Sequence, residues 1–218
     1  MAITGNRHTS WAFADAYGVP DIGTAAGEAL LWARDRSREA GVTSVSPGCG
    51  DALRLLTATA DAKAVVEIGT GTGVSGLYLL LGMRPDGVLT TMDTEPERQQ
   101  FAREAFRAAG FAGNRARLIP GRALDVLPRL TDGGYDLVFC DGDREEYLDY
   151  LGEAVRLLRP GGLLCFAGVF AGGDTVDSSA QTSTVLTLRE LLRTLRESDR
   201  LTPALLPVGD GLLCATCR

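Results

Sequence analysis

The stretch Ala64-Val-Val-Glu-Ile-Gly-Thr-Gly-Thr-Gly-Val-Ser-Gly76 decides the architecture of this chain. Val65, Val66 and Ile68 form a short apolar run that stops at glycine, and residues 74–81 are apolar enough to be a covered helix. Strand, glycine turn and helix make the first half of a nucleotide-binding βαβ unit. Gly71, Gly73 and Gly76 satisfy G-x-G-x-x-G, in which backbone approaches a pyrophosphate at a helix N-terminus. Glu67 argues for another ligand, because a carboxylate at the end of the first strand repels a pyrophosphate and suits a cation. A second apolar run, Leu89-Thr-Thr-Met-Asp93, ends in an acid at the distance expected of a carboxylate that accepts both hydroxyls of a ribose. Short-chain dehydrogenase chemistry needs a lysine beside a tyrosine, and the only lysine, Lys63, precedes the first strand.

The 218 residues contain no low-complexity linker, so one domain is expected over 1–218: an N-terminal arm (1–23), N-terminal helices (24–60) and a core (61–218). A net charge of -6, with basic residues that are almost all arginine and scattered singly, argues against a surface that tracks nucleic-acid phosphates. A small-molecule partner fits better. The first residues lack the apolar core of a signal peptide, and no stretch reaches the roughly 18 apolar residues of a membrane helix, so a cytoplasmic protein without a membrane partner is expected. Among the five cysteines, Cys140 and Cys165 fall in core strands as small buried thiols. Cys214 and Cys217 are spaced C-x-x-C, but in a strand that spacing sends them to opposite faces, and they are assigned no metal.

Working outward, residues 1–20 read as a polar arm in which Trp11, Phe13 and Tyr17 follow no clear period. Residues 24–40 form a helix stopped by Gly41, and Ser46-Pro47 caps the next, with Leu53, Leu56 and Ala60 on its buried face. Pro96 opens a helix with a stripe of Phe101, Ala102, Ala105, Phe106 and Ala109. Residues 117–121 are a third strand and turn, followed by a helix carrying Leu124, Leu127 and Leu130. Residues 135–141 are an apolar fourth strand ending in Asp141-Gly142-Asp143. A helix over 147–158 is stopped by residues 159–162, and 163–167 is the fifth strand. Residues 171–179 read as a flexible loop, and 184–196 as an amphipathic helix with Val185, Leu188, Leu192 and Leu195 inward. A hairpin over 201–207 and 211–216 closes the chain. The class is α/β: a three-layer sandwich around a mostly parallel sheet with an antiparallel C-terminal hairpin.

Several segments, in this order and spacing, resemble class I S-adenosylmethionine-dependent O-methyltransferases of the catechol and caffeoyl-coenzyme A type, closest to an actinobacterial branch. They are Thr43-Ser-Val-Ser46, the E-x-G-x-G-x-G of Glu67, Gly69, Gly71 and Gly73, Thr91-Met-Asp-Thr-Glu-Pro96, Gly121-Arg-Ala123, Phe139-Cys-Asp-Gly-Asp143, Leu158-Arg-Pro-Gly-Gly162 and residues 199–213. The resemblance implies a seven-stranded Rossmann-like fold, a homodimer, and S-adenosylmethionine as cofactor. Glu67, Gly69, Thr70, Gly71 and Ser75 would then hold its methionine end with Val45 nearby, and Asp93 its ribose. Thr94, Arg122 and Ala123 would border the adenine, and Asp141 with Gly142 would lie beneath the sulfonium.

The catalytic half departs from the pattern. Metal-dependent members hold a divalent ion with an acid at the position of Asp141 and an Asp-Asn pair that here is Ala167-Gly168. Neither has a side-chain oxygen, and Asp141 with Asp143 would hold magnesium only weakly. The basic lysine of the catechol enzymes is Arg144, which can orient an anion or stabilise a phenolate but accepts no proton. Asp141 is the first choice of base, with Asp143, Asp174, Asp177 and the single histidine, His8, as others. Asp141 and Arg144 are thus the catalytic candidates, Arg144 against the plainer reading of a solvated arginine. The expected activity is methyl transfer to a hydroxyl of a small molecule, with a degenerate or absent metal site. A non-catalytic S-adenosylmethionine-binding homologue is the alternative. Nucleic-acid or protein N-methylation is disfavoured, because the fourth strand ends in Cys-Asp-Gly-Asp and not in an Asn/Asp-Pro-Pro-aromatic motif.

Overall fold

The computed structural model describes residues 7–17 and 23–218, the first two of them as backbone only. Its parallel strands are β1 (Ala64–Ile68), β2 (Val88–Asp93), β3 (Ala116–Pro120), β4 (Tyr135–Cys140) and β5 (Leu158–Ala167). β6 (Leu201–Leu206) and β7 (Leu212–Cys217) form the closing hairpin, and β7 pairs antiparallel with β5. The sheet order β3-β2-β1-β4-β5-β7-β6 reverses direction between β1 and β4, which opens a crevice at the carboxyl ends of those strands. This is the expected seven-stranded sheet with its antiparallel edge.

Because side chains alternate along a strand, each face of the sheet buries its own core. Val65, Leu89, Phe139 and Cys165 pack on one face beneath α2 (Ala25–Glu39), α3 (Pro47–Thr59), α4 (Val74–Gly82) and α5 (Pro96–Ala108). Val66, Ile68, Met92, Val138 and Phe166 pack on the other against α6 (Ala123–Val126), α7 (Tyr147–Leu157) and α8 (Ser183–Glu197). The expected caps form: Thr24 accepts from Gly27 N at the start of α2, and Ser46 from Cys49 N at the start of α3.

Four local expectations need correction. The arm contains a helix, α1 (Arg7–Tyr17), which Asp15 pins to the start of α3 by accepting from Ser46 Oγ at 2.6 Å. Its Trp11, Phe13 and Tyr17 stay exposed, so no apolar period could reveal it. Residues 159–162 belong to β5 and do not form a turn before it, with a register shift between Tyr135 and Leu137 absorbing them. In α8 it is Leu191 that completes the buried stripe with Val185, Leu188 and Leu195, and Leu192 is only partly covered. The loop expected to be flexible is tied down from α8: Arg189 donates to the carbonyls of Thr175 and Ala180 at 3.0 Å, of Asp174 at 3.2 Å, and of Asp177.

Candidate active site

A cleft of about 420 Å³ lies over the carboxyl ends of β2, β1 and β4. Val45, Gly69, Thr70, Gly71, Ser75, Asp93, Thr94, Arg122, Ala123, Asp141 and Gly142 all line it. The loop after β1 can pass this close to β4 only through glycine. A Cβ on Gly69, at φ +94°, would sit 2.4 Å from the Asp141 carbonyl oxygen. Gly71 is also left-handed, at φ +51°, but faces open space in the cleft.

Asp93 ends β2 as a fixed acceptor. Gly71 N donates to its Oδ2 at 2.8 Å and Glu95 N to its Oδ1 at 2.9 Å, which sets the carboxylate plane and leaves each oxygen a lone pair for a ligand hydroxyl.

Glu67 alone of the expected cofactor residues does not line the cleft; it is fully buried behind the wall. Ser75 Oγ donates to its Oε1 and Thr91 Oγ1 to its Oε2, both at 2.6 Å. Thr91 spends its proton on Glu67, so Thr70 Oγ1, 2.7 Å away, donates to Thr91 and in turn accepts from Gln99 Nε2 at 3.1 Å. A polar chain thus runs from α5 to Glu67. Burial pushes the Glu67 carboxyl up to about 8, against the two hydroxyl donors that lower it. In this geometry Glu67 meets the cleft wall through Ser75 and makes no contact with the cleft itself.

The far end of the cleft holds a cluster only partly expected from the sequence. Arg122 donates through Nε at 3.1 Å and Nη2 at 2.5 Å to Glu146 Oε1, and Tyr150 Oη donates to Glu146 Oε2 at 2.6 Å. Glu146 and Tyr150 line the cleft but were no part of the sequence reading. The one available signal was their spacing of four at the start of a helix, which puts them on one face. Thr72 was missed as well: it donates to Ala33 O at 2.8 Å and accepts from Ser37 Oγ at 2.7 Å, which ties α2 to the glycine loop.

Of the base candidates, Asp141 and Asp143 line the cleft, and Asp174 and Asp177 do not. The side chain of His8 lies outside the described residues. Burial raises the Asp141 carboxyl to about 7, with the charge of Arg144 opposing it. Asp143 caps the turn Arg144–Glu146 by accepting from Glu145 N at 2.9 Å.

Arg144 does not line the cleft. It reaches past the end of β4 to the end of β5, where its Nη2 lies 3.3 Å from Asp210 Oδ2. The residues there do not fit a divalent metal. Ala167 and Gly168 offer no side-chain oxygen, a Cβ on Gly168 would lie 2.2 Å from Arg144 Nη2, and no three acids, histidines or cysteines among the described residues are grouped to hold an ion.

The comparisons with known proteins agree with this geometry. Residues 34–217 match the family model described as O-methyltransferase. A Mycobacterium tuberculosis protein named as an O-methyltransferase is 48% identical over 205 residues, 94% of this chain and 89% of that one. Among solved structures, TomG of Streptomyces achromogenes, an O-methyltransferase involved in tomaymycin synthesis and solved with S-adenosylmethionine, superposes with a TM-score of 0.85. It is 28% identical, and the match covers 97% of this chain and 99% of that one. An O-methyltransferase from Bacillus cereus in complex with S-adenosylhomocysteine has a TM-score of 0.84 at 25% identity, covering 96% and 99%. The expected Rossmann-like fold and S-adenosylmethionine-dependent transfer to oxygen therefore stand, and the chain belongs to the O-methyltransferase family.

Proposed function

We propose that the cleft binds S-adenosylmethionine with its ribose on Asp93, its methionine end over Gly69, Thr70, Gly71 and Ser75, and its adenine between Thr94, Arg122 and Ala123. A hydroxyl of a small molecule then enters beside Asp141. The Asp93 carboxylate carries the reading: two backbone N–H groups orient it, and it faces the cleft with acceptor capacity to spare. Bound S-adenosylmethionine supplies a methyl carbon on a sulfonium, which an acceptor oxygen displaces in line. Glu67, which burial keeps protonated in the cofactor-free protein, gives up that proton when the cationic end binds in front of it and then balances the charge from behind the wall. Asp141, beside the reacting centre, takes the acceptor proton, and the cleft walls hold the oxygen in line, where orientation supplies much of the rate.

Calorimetric titration tests the cofactor half. Wild type binds S-adenosylmethionine, and Asp93→Ala binds about 100-fold more weakly, the loss of two hydrogen bonds to a charged group at about 1.5 kcal/mol each. Equal affinity would refute the assignment. Product from any phenolic acceptor would exclude a non-catalytic binder.

The working assembly in this reading is a cytoplasmic homodimer. The family resemblance supports the dimer, as does α1, with Phe13 and Tyr17 exposed at 71% and 81%. No helix among the described residues is long and apolar enough to cross a membrane. Light scattering on purified protein should give twice the chain mass, and a monomer at all concentrations would overturn the dimer.

A further inference from the structure

The carboxyl edge of the sheet continues past the cleft to β5 and the start of β7, and a single cation is built into it there. Gly168, at φ +66°, has no Cβ, and the Arg144 guanidinium fills the space: an added Cβ would meet Nη2 at 2.2 Å, Cζ at 2.8 Å and Nε at 3.0 Å. Asp210 holds the guanidinium from the other side and is itself fixed. Its Oδ1 accepts from Gly172 N at 2.8 Å and its carbonyl from Phe170 N at 2.9 Å, leaving Oδ2 for Arg144. Tyr147 Oη donates to Ala167 O at 3.0 Å and fixes the end of β5 beneath it.

Among the described residues Asp210 is the one hydrogen-bond partner of the Arg144 guanidinium, so most of its five donors remain for a ligand. The side chain is 35% exposed to solvent, and its charge acts on Asp141 in the cleft wall, opposing the effect of burial there.

We propose that Arg144, seated over Gly168 and tethered by Asp210, supplies the fixed positive charge at the acceptor oxygen, so that the acceptor is an acidic hydroxyl of phenol type bound as its oxyanion without a divalent ion. The inference rests on the methyltransferase reading of the cleft. On binding, the acceptor O–H proton passes to Asp141 and on to solvent. The oxygen then forms its bond to the methyl carbon as the carbon–sulfur bond breaks, and the sulfur keeps the electron pair as a neutral thioether. The guanidinium stays protonated throughout and stabilises the oxyanion by charge-assisted hydrogen bonds.

The test uses 4-nitrocatechol, whose phenolate absorbs visible light, added to protein saturated with S-adenosylhomocysteine in the presence of EDTA. In wild type the bound chromophore should be ionised about tenfold more than free chromophore at the same pH, a shift of about one pH unit. Added magnesium should change nothing. Arg144→Gln should abolish the shift, Arg144→Lys should retain part of it, and Asp210→Asn should weaken it. S-adenosylhomocysteine affinity, read by calorimetry on the same samples, should be unchanged in all three variants and so report an intact fold. No shift in wild type, a shift that needs magnesium, or the same shift in Arg144→Gln would each overturn the proposal while leaving the cofactor reading in place. Failure of wild type to bind S-adenosylhomocysteine would instead overturn the reading of the cleft and this inference with it.

Discussion

The two halves of the sheet's carboxyl edge are built differently. Over β1 and β2 the functional groups are acids locked by near neighbours: Asp93 is held by Gly71 and Glu95, and Glu67 by Ser75 and Thr91. Over β4, β5 and β7 the group is a cation, and its partner Asp210 lies 66 residues away along the chain. The first half is one βαβ unit whose turn, helix and next strand are consecutive, so its geometry follows from local sequence. The second half exists only because the hairpin brings β7 alongside β5. In the function proposed above, the ribose and methionine end of the cofactor therefore fall to a continuous motif, and the acceptor side to long-range packing.

Substitutions along the edge probe this difference. The largest stability loss should come from Gly69→Ala, where a left-handed backbone and a contact of 2.4 Å with Asp141 O combine. About 4 kcal/mol is expected from strain and overpacking together, read as a lowered Tm, whereas Gly71→Ala, facing open space, should cost about 1 kcal/mol. If the two variants were equally stable, the close approach of β1 and β4 would not be what requires glycine.

Glu67→Gln should change how stability depends on pH. The folded carboxyl holds its proton up to about 8, above its ordinary value of 4.5. The unfolded chain releases its proton first, so this contribution is complete below about 4.5 and is lost as pH rises toward 8. Thermal melts of the cofactor-free protein should show wild type losing ground to Glu67→Gln by on the order of 3 kcal/mol between pH 5 and 8. Parallel curves would mean that Glu67 is already ionised in the folded state.

Arg189→Ala should act on the other half alone. Removing its hydrogen bonds to the loop carbonyls should cost about 1–2 kcal/mol and speed proteolysis within residues 174–180, with S-adenosylmethionine affinity unchanged. A loss of cofactor affinity would show the halves to be coupled. The smallest stability effect is expected from Arg122→Ala, because its ion pair with Glu146 leaves the arginine side chain 58% exposed. Exposed pairs contribute about 0–1 kcal/mol, so the consequence should appear in cofactor affinity before it appears in Tm.

Legibility follows the same division. Asp93 and Asp141 were visible because an apolar run that stops at a carboxylate marks a strand end facing a crevice, whereas the same signal at Glu67 marked a side chain that packs behind the wall. The hydroxyl chain through Thr70, Thr91 and Gln99 was not, because it depends on which side chains of β1, β2 and α5 share one face at hydrogen-bond distance. Likewise, Arg189 looks like any arginine on an amphipathic helix until the loop it anchors is in place.

By itself the sequence determined the α/β class, the mostly parallel sheet with its antiparallel terminal hairpin, and the acids and glycines at the strand ends that the proposed function uses. Period, turn chemistry and charge are local properties of the chain. Only the tertiary structure decided that Glu67 lies behind the cleft wall and that Glu146 and Tyr150 close its far end. It alone placed Arg144 in the space that Gly168 leaves open. The physical reason is that burial and close approach are set by what packs opposite a residue, and for these residues the opposing atoms come from strands and turns remote in sequence.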